Sequence, residues 1–146
     1  MIRAVLDTNI LISAFLVKQG KPAQIVQYGR ARRFQLVLAE EILAELREAL
    51  GYKHIQKRFH PIPAEIDEFE ERLRTVSTLV TLTEIDHVVA GDPDDDFIVA
   101  CAVEGKADYL VSGNKHLLDL QEYRQIHFVT PSHFLTLLDD LPESEF

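Results

Sequence analysis

Ile2-Arg3-Ala4-Val5-Leu6-Asp7-Thr8-Asn9 is a short apolar run of strand type, stopped by an acid at the start of a helical stretch that reaches about Val17. Gly20-Lys21-Pro22 breaks that stretch, and Pro22 opens a second helix that runs to about Arg33. The alternation continues along the chain. Phe34 to Leu38 reads as a strand, and Glu40 to Leu50 as a helix stopped by Gly51. Residues 52–78 read as two helical pieces, broken at Phe59-His60-Pro61-Ile62-Pro63, with Ala64 to about Val76 the second. Thr78 to Leu82 is β-branched and strand-like. Pro93 to Glu104 is helical, Tyr109 to Val111 a strand, Lys115 to Leu120 a short helix, Ile126 to Val129 a fifth strand, and Pro131 to about Leu138 a last helix. Short, nearly all-apolar strands separated by helices predict a mostly parallel sheet covered on both faces. The expected fold is therefore α/β: one three-layer domain over residues 1–146, with a central sheet of about five strands.

Composition agrees with one globular domain. The 146 residues are 47% hydrophobic and 27% charged, which excludes a disordered or collagen-like chain. The single cysteine, Cys101, lies in an apolar run; it cannot form an internal disulfide, and an inert core thiol in a reducing cytoplasm is the expectation. No stretch approaches the run of about 20 apolar residues that a membrane span needs, and the N-terminal run does not read as a signal peptide. Fifteen Lys and Arg against 24 Asp and Glu give a net charge of −9. An acidic chain binds nucleic acid poorly unless its cations are gathered locally, because phosphate contacts need positive charge.

Acids gather where the strands end. In open parallel sheets ligands bind outside the carboxyl ends of the strands, near the point where strand order reverses. The first strand ends in Asp7-Thr8-Asn9, the second leads to Glu40, Glu41, Glu45 and Glu48, the third leads on to Asp92-Pro93-Asp94-Asp95-Asp96, and the fourth ends in Ser112-Gly113-Asn114. Each acid also has a purely structural explanation. Asp7 and Asp92 suit helix N-caps, Asp94 and Asp95 suit a first helical turn, and the glutamates suit a solvated helix face. On the helix after the second strand, Ile42, Leu43, Leu46, Ala49 and Leu50 form one apolar stripe. At about 100° per residue Glu45 is the acid nearest that stripe's edge, with Glu40, Glu41 and Glu48 farther round. The helix after Asp92 is apolar all round from Phe97 to Val103, so its leading acids are expected to face a cleft. Carboxylates about 5 Å apart repel by about 3 kcal/mol per pair at an effective dielectric of 20, so gathering several calls for a cation. Oxygen-only donors favour Mg²⁺ or Mn²⁺ over Zn²⁺.

The opening run ending in Asp7-Thr8-Asn9, Glu45, Asp92-Pro93-Asp94-Asp95 and Ala107-Asp108-Tyr109-Leu110-Val111-Ser112-Gly113-Asn114 together resemble the PIN-domain nucleases, and more closely the VapC-like toxins of bacterial toxin–antitoxin pairs. The resemblance implies a metal-dependent endoribonuclease that hydrolyses RNA phosphodiester bonds with a metal-activated water. It matches Asp7, Glu45 and Asp95 to the family's metal-binding carboxylates, Asp95 because it precedes the Ile98, Ala100 and Ala102 pattern, with Asp92 and Asp96 as neighbours. The family's fourth position, often aspartate, is Asn114 here, which favours one well-held Mg²⁺ over a two-metal site. Ser112 matches the motif's small hydroxyl, and Asn9 is placed to orient a carboxylate or a water. The resemblance further implies a cognate antitoxin, a homodimer and no membrane association.

Two local groups of cations answer the charge objection: Arg30, Arg32 and Arg33, and Lys53, Lys57 and Arg58 with His54 and His60 nearby. Arg30 and Arg33 are taken as substrate-binding candidates, with solvated helix ends as the structural alternative. His87, His116, His127 and His133 show no ligand spacing. A haloacid-dehalogenase-type phosphatase needs aspartate where Asn9 stands, and a receiver domain needs a phospho-acceptor where Thr83-Glu84 follows the third strand. The remaining alternative is a PIN-fold binding module that has lost its nuclease activity.

Overall fold

The computed structural model describes residues 1–83 and 93–141 and, over 93–95, the backbone alone. In chain order the elements are β1 (Arg3–Leu6), α1 (Thr8–Leu16), α2 (Lys21–Arg30), β2 (Gln35–Ala39), α3 (Glu40–Leu50), α4 (Lys53–Phe59), α5 (Pro63–Val76), β3 (Thr78–Val80), α6 (Pro93–Glu104), β4 (Tyr109–Val111), α7 (Lys115–Leu120), β5 (Glu122–Tyr123), β6 (Ile126–Val129) and α8 (Pro131–Asp139). The strands form one sheet in the order β3-β2-β1-β4-β6-β5. All pairings are parallel except β5 with β6. The expected α/β architecture is therefore present, with six strands among the described residues rather than five.

The added strand, β5, belongs to a two-residue hairpin with β6. Its turn residues Arg124 and Gln125 have φ of 47° and 68°. Positive φ at both central positions defines the turn that suits the twist of a hairpin, and Asn-Gly is its usual signature. Arg-Gln carries no such signal.

Burial explains the sheet's order. Ala4, Val5 and Leu6 of β1 and Val37, Leu38 and Ala39 of β2 are fully buried. Among the described residues β3 pairs only with β2, and Leu79 is 41% exposed. The α3 residues buried against the core are Ile42, Leu43, Leu46, Ala49 and Leu50, the stripe that the periodicity predicts. Ile98, Val99, Ala100, Cys101 and Ala102 of α6 are also buried, and burial pushes the Cys101 thiol up to about 12, which makes it an inert core group.

Two contacts fix how the helices deliver their acids. Arg3 Nε donates to the Gly105 carbonyl at 2.8 Å, tying the end of α6 to the start of β1. Twelve helical residues span about 18 Å, so the first turn of α6 lies at the carboxyl end of the sheet, from which the chain returns between β3 and β4. The other contact is an ion-pair network. Arg74 of α5 holds Glu40 at 2.7 Å, and Arg47 of α3 donates to Glu70 at 2.7 Å and reaches Asp67. This network joins α3 and α5 as an antiparallel pair. The Arg74 hydrogen bond holds the Glu40 carboxyl below its ordinary range, so Glu40 has a structural task at the start of α3.

Candidate active site

The chain runs from β1 to β2 and β3 on one side, then returns to place β4 on the other side of β1. The carboxyl ends of β1 and β4 thus flank the switch point where such sheets bind ligands. The buried polar residues described there are Asp7 and Thr8 after β1 and Ser112 after β4, with Asp96 in the first turn of α6.

Asp7 occupies the N-cap position of α1, but its side chain makes no capping hydrogen bond; its carbonyl serves the helix, accepting from Ile10 and Leu11. The carboxylate instead accepts the Ser112 hydroxyl at 2.7 Å, across the switch point. The Ser112 hydroxyl in turn accepts the Asn114 backbone N–H at 2.9 Å. These bonds fix the Ser112 proton toward Asp7, which is only 5% exposed.

Asn114 caps α7, its Oδ1 accepting the His116 backbone N–H at 2.9 Å. Its side-chain oxygen is therefore engaged in the fold. Asn114→Ala should cost about 1 kcal/mol in a denaturant titration, whereas Asn114→Asp should keep the cap and add one negative charge beside Ser112. A silent Asn114→Ala would show that the cap carries no stability.

Glu45 is half-buried on α3, and Glu41 and Glu48 are exposed, the ranking that the helical geometry predicts. α3 packs against α1, whose first residues follow Asp7. Asp96 is 2% exposed and more enclosed than its role as a neighbour implied. Asn9 is exposed at the second position of α1. Asp92 and the side chains of Asp94 and Asp95 lie outside the described residues, as does His87. His116 is exposed beside Asn114.

The two arginine candidates sit elsewhere. Arg3 is in register with Gln35, so Arg33 lies level with Met1, about 20 Å of strand from Asp7. Its guanidinium lies 4.6 Å from the Tyr28 ring centroid and donates to the Leu138 carbonyl at 3.4 Å. Arg30 is exposed and lines a groove of about 390 Å³ with Phe15, Phe69, Glu68 and Arg72. The structure brings together Asp7, Ser112 and Asn114, and leaves Arg30 and Arg33 outside that group.

Sequence reasoning passed over Thr8. It is 1% exposed, and its hydroxyl has no hydrogen-bond partner among the described residues. The signal was available, because Thr8 lies three residues before Leu11 on the buried face of α1. The oxygens described at this point are the Asp7 carboxylate and the Thr8 and Ser112 hydroxyls, a kind of donor that suits a hard divalent cation. No group of three His, Cys, Asp or Glu side chains able to hold a metal occurs among the described residues.

A doubly wound domain with a carboxylate at its switch point is the class of protein that this fold and site define. The PIN domain family model matches residues 3–116, and the chain belongs to that family. No curated protein matches it in sequence. Among solved structures it is similar to a chain of VapBC2 from Rickettsia felis, crystallised bound to a DNA fragment from their promoter. That similarity has a TM-score of 0.58 at 12% identity and covers 88% of this chain and 98% of the other, which shows a shared fold. No described helix is long and apolar enough to cross a membrane.

Proposed function

We propose that this protein is a Mg²⁺- or Mn²⁺-dependent endoribonuclease and the toxin of a type II toxin–antitoxin pair, acting in the cytoplasm as a homodimer held inactive by its cognate antitoxin. The observation that carries the reading is the Asp7–Ser112–Asn114 hydrogen-bonded chain at the switch point of a PIN fold. Members of this family are generally nucleases, and the likeness to a chain of a VapBC complex supports the toxin assignment.

Asp7, Glu45, Asp95 and Asp92 are the residues that would hold the ion. Bound there, it would lower the pKa of a water and offset charge developing on the scissile phosphate. Ser112 holds Asp7 Oδ2 in place at the switch point. Asn9, exposed at the second position of α1, would meet substrate. Asn114 stabilises the α7 end of the site without adding charge, which favours one ion over two.

The test is incubation of the protein with RNA of mixed sequence and structure in Mg²⁺, with and without EDTA. Cleavage is expected with Mg²⁺ and is expected to vanish with chelator. Cleavage that survives EDTA sinks the metal-dependent reading. Binding without any cleavage favours the binding-module alternative, for which the engaged Asn114 side chain is the supporting observation.

A further inference from the structure

Between Glu48 and Glu65 the chain carries no acid, in a protein of net charge −9. That segment is α4 and its flanks. Every residue of α4 is exposed except Ile55, which packs partly against the core. The helix is only seven residues long, held by Gln56 donating to the Leu50 carbonyl at 2.8 Å and by a left-handed His60 at its C-terminus. Three of the seven exposed large hydrophobic residues described, Tyr52, Phe59 and Ile62, fall within this stretch. The Arg58 guanidinium lies 5.2 Å from the Phe59 ring centroid. Tyr52 is 47% and Phe59 36% exposed, at opposite ends of a helix that carries Lys53, Lys57 and Arg58.

We infer that α4 is a docking platform for single-stranded RNA, with bases stacking on Tyr52 and Phe59 and phosphates held by Lys53, Lys57 and Arg58. The nature of the nucleic acid rests on the proposed function; the anionic, ring-bearing character of the ligand rests on the surface. Exposed aromatic rings interleaved with cations are what sequence-tolerant single-strand binding uses, since every base has a face to stack. A second copy of the chain is disfavoured on this surface, because an isologous contact would set like charges against each other. The platform follows α3 directly, starting about 10 Å along the chain from Glu45, so a docked strand reaches the candidate site within a few nucleotides.

The test is fluorescence anisotropy with a short labelled oligouridine in EDTA, across a salt series, with melting curves to verify folding. Lys53→Gln/Lys57→Gln/Arg58→Gln should bind at least about tenfold more weakly and lower the salt slope by about 2, since each lost phosphate contact contributes about 0.7 on a single strand. Tyr52→Ala/Phe59→Ala should weaken binding at least about fivefold with the slope unchanged. Wild-type affinity in either variant overturns the inference. So does loss of self-association by Tyr52→Ala/Phe59→Ala in ultracentrifugation with RNA affinity intact, which would give the surface to a second copy. RNA that binds through α4 but is not cleaved on adding Mg²⁺ sinks the nuclease reading and leaves α4 standing. Equal cleavage by wild type and the triple variant at limiting RNA does the reverse.

Discussion

Asp7→Asn should lower Mg²⁺-dependent RNA cleavage by at least about 100-fold in a protein that stays folded; changes to groups that merely support a metal's ligands already cost 10- to 100-fold. The substitution is close in shape, and the amide oxygen can still accept the Ser112 hydroxyl that now lies 2.7 Å from Asp7 Oδ2. What it removes is charge. A carboxylate only 5% exposed is costly to bury, so the metal-free variant should melt at the same temperature as the wild type or higher. The stabilisation by Mg²⁺ should shrink, because a ligand stabilises only through its binding to the folded state. If Asp7 were a helix cap, Asn would replace it with little effect, but its side chain makes no capping bond to α1. Thermal melts of both proteins in EDTA and in excess Mg²⁺ separate the cases. Equal Mg²⁺ shifts with equal cleavage would remove Asp7 from the site.

The sheet and the position of Asp7 were legible in the sequence for the same reason. Strands buried on both faces must be apolar, so an acid marks where such a strand stops, and Asp7 marks the end of β1 in just this way. The α3 stripe was legible because helical period sorts Glu45 from Glu41 and Glu48 without knowledge of the partner. Three features were not. The β5–β6 hairpin depends on positive φ at Arg124 and Gln125, a conformation held by its context rather than encoded by residue type. The Arg33 position depends on register. Proximity in sequence to the first acid says nothing about which end of the sheet a residue occupies, and pairing of Arg3 with Gln35 sends Arg33 to the far end. The role of Asn114 depends on where α7 begins, since the same amide one residue later would not cap it.

Gly105→Ala should destabilise the protein by about 3 kcal/mol, lowering Tm by about 6–12 °C for a chain of this size. A Cβ at this position would stand 2.3 Å from Val37 Cγ1 and 3.2 Å from the Cys101 carbonyl oxygen. The backbone there is outside the left-handed region, so close approach of α6 to β2 is the reason for glycine. Val37 is fully buried in the middle of β2 and cannot swing aside. The clash must therefore be relieved by moving α6, which the Arg3–Gly105 hydrogen bond otherwise fixes on β1. The first turn of that helix carries Asp96 at the carboxyl end of the sheet, so its displacement should also lower cleavage per folded molecule. Val37→Ala removes both γ-methyls, including the Cγ1 that the new Cβ meets, at a cost on the order of 2 kcal/mol for the cavity it leaves. In Gly105→Ala/Val37→Ala the inserted carbon occupies that cavity, and the double variant should be more stable than the sum of the singles by at least about 1 kcal/mol, with cleavage partly restored. Additive losses in denaturant titrations would show that the two positions do not press on each other, and that the seat of α6, and with it the acids at its head, is fixed by something other than this contact.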